Sequence, residues 1–192
     1  MTTVYRVNGQ TIRPGRAWRD ADGTLQPRNW QIWSEDEKKA AGISEIVMQP
    51  FPDQRLYSSS HNEDGTVAST AKSLTDVNEV DKAGNAVLDI DGNQLVTKGL
   101  KTLAIETAKT QAASLLAPHD WQVIKATEVE SYSVPSNVTT YRAAVRTASN
   151  NIETAITNAA DLAAFMALYD TPFDSDGKQT GNAPIDDWPD AI

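Results

Sequence analysis

The chain of 192 residues carries 17 lysines and arginines against 26 aspartates and glutamates, a formal net charge of −9. With 40% hydrophobic and 22% charged residues and a mean hydropathy of −0.45, it is polar overall yet apolar enough to fold around a core. That charge argues against nucleic acid or an anionic membrane surface as partner, no apolar run approaches the ~20 residues that cross a bilayer, and Met1 to Tyr5 lacks the basic-then-apolar order of a signal peptide, so synthesis in the cytoplasm is expected.

Val4, Tyr5 and Val7 ahead of Asn8-Gly9 predict a strand that returns through Gln10 to Arg13 as an N-terminal hairpin. Pro14-Gly15 and Asp20-Ala21-Asp22-Gly23 punctuate the chain, and Asn29 to Trp33 reads as a short extended piece. Ser34-Glu35-Asp36-Glu37 is a capping box that opens a short helix, with Gly42 placed to stop it. Ile43 to Met48 suits a strand that Pro50-Phe51-Pro52-Asp53 ends. Residues 1–60 hold 8 basic and 7 acidic residues and residues 61–192 hold 9 and 19, which places a boundary near residue 60.

Residues 58–92 are dense in turn signals: Ser58-Ser59-Ser60, Asn62 to Gly65, Asp81 to Asn85 and Asp89 to Asn93. Ala86 to Ile90 and Gln94 to Thr97 are candidate hairpin strands, and a flexible linker is the competing reading. Leu100, Leu103, Ala104, Ala108, Ala112, Leu115 and Leu116 then recur at helical spacing up to a stop at Pro118. Trp121 to Ala126 alternates like a strand or an extended bridge. A second helix starts after Pro135, where Ser136 can cap it, and runs through Val138, Tyr141, Arg142, Val145, Ile152 and Ile156; Asp161 caps a third from Leu162 to Tyr169. The expected class is α+β: an Arg/Trp/Pro-rich β-hairpin and short-helix module (1–57), a turn-rich hairpin or linker (58–97), an antiparallel helical region (98–170) and an acidic extended tail (171–192).

The chemistry-bearing residues are few. With no cysteine there are no disulfides, thiolate metal sites or cysteine nucleophiles, and there are only two histidines, His61 and His119. Asp89-Ile90-Asp91-Gly92-Asn93 fails as an EF-hand, because its glycine is fourth and the twelfth residue is Leu100; a hairpin turn is the better reading. His119-Asp120 follows Pro118 in a loop, with Asp120 expected to cap the turn before Trp121 rather than to orient a base. Abundant aspartates, among them Asp64, Asp76, Asp89 and Asp91, are the sole sequence support for a metal-dependent hydrolase, so no catalytic, cofactor or metal residue is assigned. The candidate partner-binding residues are Arg13, Arg16, Trp18, Arg28, Trp30 and Trp33, with Trp188 in the tail. Their tryptophans also suit a core with arginines lying over it, or the stacking of nucleobases. The helical stripe is first an intramolecular core and second a surface for bundling with other copies.

The order Asn8-Gly9-Gln10, Pro14-Gly15-Arg16-Ala17-Trp18, Asp20-Ala21-Asp22-Gly23-Thr24, Pro27, Asn29-Trp30, then Leu115-Leu116-Ala117-Pro118, Asp120-Trp121, Val134-Pro135, Val138-Thr139-Thr140-Tyr141-Arg142 and Val145-Arg146 resembles small tail proteins of tailed bacteriophages. These belong to the tail-fibre and baseplate neighbourhood and are often labelled tail-fibre-assembly-like. The resemblance spans about residues 4–57 and 95–190, and between Ser58 and Asp91 the chain departs from it. It implies a non-enzymatic virion component, an adaptor docking tail-fibre or baseplate proteins, with possible homo-oligomerisation through the C-terminal helices. The alternative it implies is a fibre-assembly chaperone that acts in the host cytoplasm and is not retained in the particle. It carries over no catalytic residue and no cofactor.

Overall fold

Asn8 and Gly9 take positive φ, 48° and 77°, and so make the tight turn that joins β1 (Thr2–Val7) to β2 (Gln10–Ile12). The pairs Val7 with Gln10 and Tyr5 with Ile12 set the register of this hairpin. The computed structural model describes residues 2–192 and is α+β, with one compact unit ending at Lys72 and a second beginning at Ser73.

In the first unit the chain continues through a small ladder of β3 (Trp18–Arg19) and β4 (Leu25–Gln26). The stretch expected to be extended at Asn29 to Trp33 is instead a 3-10 turn over Trp30–Ile32. That turn drops the Trp30 indole, fully buried, among Val7, Ile12, Trp18 and Ile43, and a straight segment would have left part of it in water. The α1 helix (Glu35–Ala40) begins with the expected capping box: the Glu37 amide donates to Ser34 Oγ, and the Ser34 amide donates to Glu37 Oε2 at 2.8 Å. The chain then enters β5 (Ser44–Met48), which pairs antiparallel with β1, so the sheet order is β2-β1-β5 and β2 is an edge.

The serines at 58–60, expected as a turn, lie inside β6 (Tyr57–His61), which pairs with β7 (Val67–Ala71) as a hairpin belonging to the first unit. This hairpin is tied to β5 by the Gln49 amide, which donates to the Gly65 carbonyl at 2.9 Å, and by the 2.8 Å contact of His61 Nε2 with the Gln49 carbonyl. Gly65 is buried at φ +84°, where a Cβ would stand 2.6 Å from the Val47 carbonyl oxygen. Only glycine fits that approach.

The second unit opens with a feature of period eight. Residues 79, 87 and 95, eight apart, close a ring of backbone hydrogen bonds: the Glu79 amide donates to Leu95 O, the Val87 amide to Glu79 O, and the Leu95 amide to Val87 O, all within 2.8–3.0 Å. Gln94 Nε2 lies within 2.7–3.1 Å of the same three carbonyl oxygens and plugs the ring. The corresponding position one leg earlier is Ala86, small enough to leave the centre to one amide. The legs are joined by two Asp-x-x-Gly-Asn turns in which Asp81 and Asp89 accept from the amides two and four residues on, and β8 (Val77–Asn78) pairs with β9 (Val96–Thr97) at the base. The expected hairpin of 86–90 with 94–97 is therefore only partly present: Leu88 bridges Gln94, whereas Val96 and Thr97 pair back to Asn78 and Val77.

Helix α2 (Leu100–Leu116) buries Leu100, Ala104, Ala108 and Ala112 against α4 (Ser136–Asn158). The two run antiparallel: Lys101 Nζ donates to Thr157 O, Lys109 faces Glu153, and Arg142 reaches Leu116 O. Pro118 does not end helical structure as expected. It sits in the first positions of a 3-10 turn over Ala117–His119, where its missing N–H costs nothing, and α3 (Asp120–Glu128) follows in place of the expected strand. No residue of α3 is buried, so its alternating Trp121 and Val123 answer to no sheet face. Pro135, not Ser136, is the N-cap of α4, without a side-chain cap bond, whereas Asp161 caps α5 (Leu162–Ala167) through the Ala164 amide as expected.

Candidate functional site

The Arg/Trp cluster of the first unit separates into a core part and a surface part. Trp30 is 0% exposed, and its Nε1–H donates to the Arg16 carbonyl at 3.1 Å. It is a core residue, which corrects its expected role as a partner contact. Trp33 is half-buried and packs against the same cluster, and Arg28 is exposed between β4 and the 3-10 turn, outside the groove described next.

Arg13, Arg16 and Trp18 do come together. They line an open groove of about 440 Å³ whose floor is Val7, Ile12 and Trp18, and along which the edge strand β2 runs. The hairpin supplies this geometry: the chain turns at Pro14-Gly15, with Gly15 at φ +75°, and returns Arg16 alongside Arg13, the Arg16 amide donating to the Arg13 carbonyl at 3.1 Å. Both guanidinia are exposed, and among the described residues neither meets a hydrogen-bond or ion-pair partner. The third arginine of the rim, Arg19, is partly committed, since its Nη1 donates to Gly23 O at 2.6 Å.

The nearest acid along the chain does not neutralise them. Asp20 spends its carboxylate on the Gln26 side-chain amide at 2.7 Å and on the Thr24 and Asp22 amides, and these bonds, the Gln26 bond foremost, hold it below the usual carboxylate range. Trp18 is 7% exposed, and its Nε1–H is shielded from solvent without an acceptor. An indole donor left so costs about 1–3 kcal/mol, a penalty that folds tolerate at few places. Gln10, Thr11 and Arg19 also line the groove, and the signal that could have placed the first two beside the arginines was the two-residue turn, which fixes the hairpin register.

Trp188, expected on an extended tail, is instead half-buried against the cluster of Ala112, Tyr141 and Val145. The tail bends through a 3-10 turn over Pro184–Asp186, and between it and α4 lies an open groove of about 720 Å³. Asp120, expected to cap a turn, pairs with the buried Arg142 at 2.7 Å, and His119 packs edge-on to Tyr141 with ring centroids 5.5 Å apart. Arg142 Nη1 also donates to Leu116 O at 2.8 Å, so it ties the end of α2 to the start of α3. Among the described residues, no group of three or more His, Asp or Glu is arranged to hold a metal ion, and no helix is long and apolar enough to cross a membrane. Comparison with protein-family models, with curated proteins and with solved structures finds no match for this chain.

Proposed function

We propose that this chain is a docking adaptor of a bacteriophage tail, acting through protein–protein contacts at the baseplate or fibre attachment. The observation that carries the docking part is the pair of unneutralised guanidinia, Arg13 and Arg16, over an apolar-floored groove beside an edge strand. Arginines next to an aromatic floor are the composition of protein–protein anchors. The phage-tail part rests on the resemblance of residues 4–57 and 95–190 to small tail proteins. Exposed Leu103, Trp121 and Ile124 on α2 and α3 offer a surface for contact between copies.

Quantitative mass spectrometry of gradient-purified particles alongside the lysate tests the reading. A fixed ratio to baseplate or fibre proteins is the expected result. Presence in the lysate only would replace the adaptor with an assembly helper.

A further inference from the structure

The groove of the first unit also carries information about what it binds, given the docking reading on which this inference rests. Three observations bear on the occupant. The segment around the groove is locally basic within an acidic chain: residues 1–33 hold five arginines (6, 13, 16, 19 and 28) against Asp20 and Asp22, a balance of +3 where the whole chain has −9. Two of those guanidinia, Arg13 and Arg16, stand on the rim without a hydrogen-bond or ion-pair partner among the described residues. Finally, β2 pairs with β1 on one side only, so the side along which Gln10, Thr11 and Ile12 meet the groove has backbone groups without a strand partner.

We infer that the groove takes an extended acidic peptide segment of a protein partner, added as a strand to the free edge of β2, with its carboxylates held by Arg13 and Arg16. Strand addition supplies the backbone hydrogen bonds, and side chains alternating along the guest supply the selectivity. One face of such a guest turns apolar side chains onto Val7 and Ile12, while carboxylates on the rim side meet the forked donors of the two arginines. The Trp18 side chain, which lines the same groove, lies beside the guest and reports its arrival. Nucleic acid matches the arginines but has no use for a strand edge, and the −9 chain repels it beyond the groove.

The test uses the full chain, isotope-labelled, with a capped hexapeptide Glu-Val-Glu-Val-Glu-Val as probe and the indole N–H and Thr11 amide resonances as readout. The expected result is saturable movement of the Trp18 indole and Thr11 amide signals. Affinity should fall roughly tenfold in the R13Q/R16Q double variant, whose spectrum stays dispersed because both side chains are exposed. The same peptide N-methylated at alternate residues should bind far more weakly, since it cannot pair as a strand. Unmoved signals, equal binding by the double variant, or equal binding by the N-methylated peptide would overturn the inference. Tighter binding of a hexathymidylate than of the peptide would overturn it in favour of a phosphate-backbone groove. A protein retained in particles whose groove ignores the peptide would refute the acidic strand and leave the adaptor standing. Peptide binding by a protein absent from particles would support the strand and refute the adaptor.

Discussion

Gly65 shows how much one missing side chain decides. Its φ of +84° and the 2.6 Å separations that a Cβ would have from Val47 O and Ile46 Cγ2 leave no room for alanine while β6 and β7 stay fastened to β5. The substitution Gly65→Ala is expected to destabilise the first unit by about 2 kcal/mol or more, the sum of a left-handed backbone penalty and a contact that backbone movement must relieve. Urea unfolding followed by the indole N–H resonance of buried Trp30 reads this; a midpoint unchanged from that of the parent would mean that the hairpin is not held against the sheet. Trp30 carries the companion lesson, because a fully buried indole whose N–H reaches the Arg16 carbonyl belongs to the core however many arginines surround it in sequence.

At the scale of elements, the module at 77–97 stands on hydrogen bonds more than on burial, since Val77, Val80, Leu88 and Val96 are all exposed. Gln94→Leu removes the shared donor from the carbonyls of Glu79, Val87 and Leu95 and is expected to cost about 1 kcal/mol. Faster amide exchange at Glu79, Val87 and Leu95, with α2 and α4 unaffected, is the corresponding observation. The turns of the same module carry a pH dependence whose sign follows from their carboxylates. The Asn85 backbone amide, then its side-chain amide, holds Asp81 below the usual carboxylate range, and the Asn93 amide does the same for Asp89. Folded values below the unfolded one mean that this stabilisation is present above about pH 4 and is lost as pH falls through the folded values. The Asn85 and Asn93 amide resonances should therefore hold their positions from neutral pH to about 4 and shift below it. Movement centred near pH 6 would point to a different titrating group.

For the whole molecule, the second unit depends on its own tail. Ala183 and Ile185 are buried, and Trp188 covers Tyr141 and Val145, so the last ten residues act as a strap on α4. A chain ending at Asn182 is expected to lose about 3 kcal/mol or more of helical-unit stability, the burial value of an isoleucine and part of a tryptophan. Thermal unfolding followed by circular dichroism at helical wavelengths measures it. An unshifted transition would show that the strap contributes no stability, and would restore Trp188 to the role of a free partner contact.

What the amino-acid sequence determined by itself was local. The Asn8-Gly9 hairpin, the Ser34 capping box, the Asp161 cap, the Asp-x-x-Gly turns and the 3.6-residue stripe of α2 and α4 are each closed by hydrogen bonds or periodicity within a few residues, so composition and spacing suffice. The tertiary structure decided what depends on distant partners. It made Trp121 to Ala126 helical although the residues there alternate like a strand, drew Ser58 to Ser60 into a strand against Ser69 and its neighbours, and closed a ring among residues eight apart. It also sorted the Arg/Trp cluster, sending Trp30 inward and leaving Arg13 and Arg16 exposed on a groove. That sorting rests on which side chains the folded sheet and the 3-10 turn can enclose, a quantity that no stretch of sequence contains until the elements have packed.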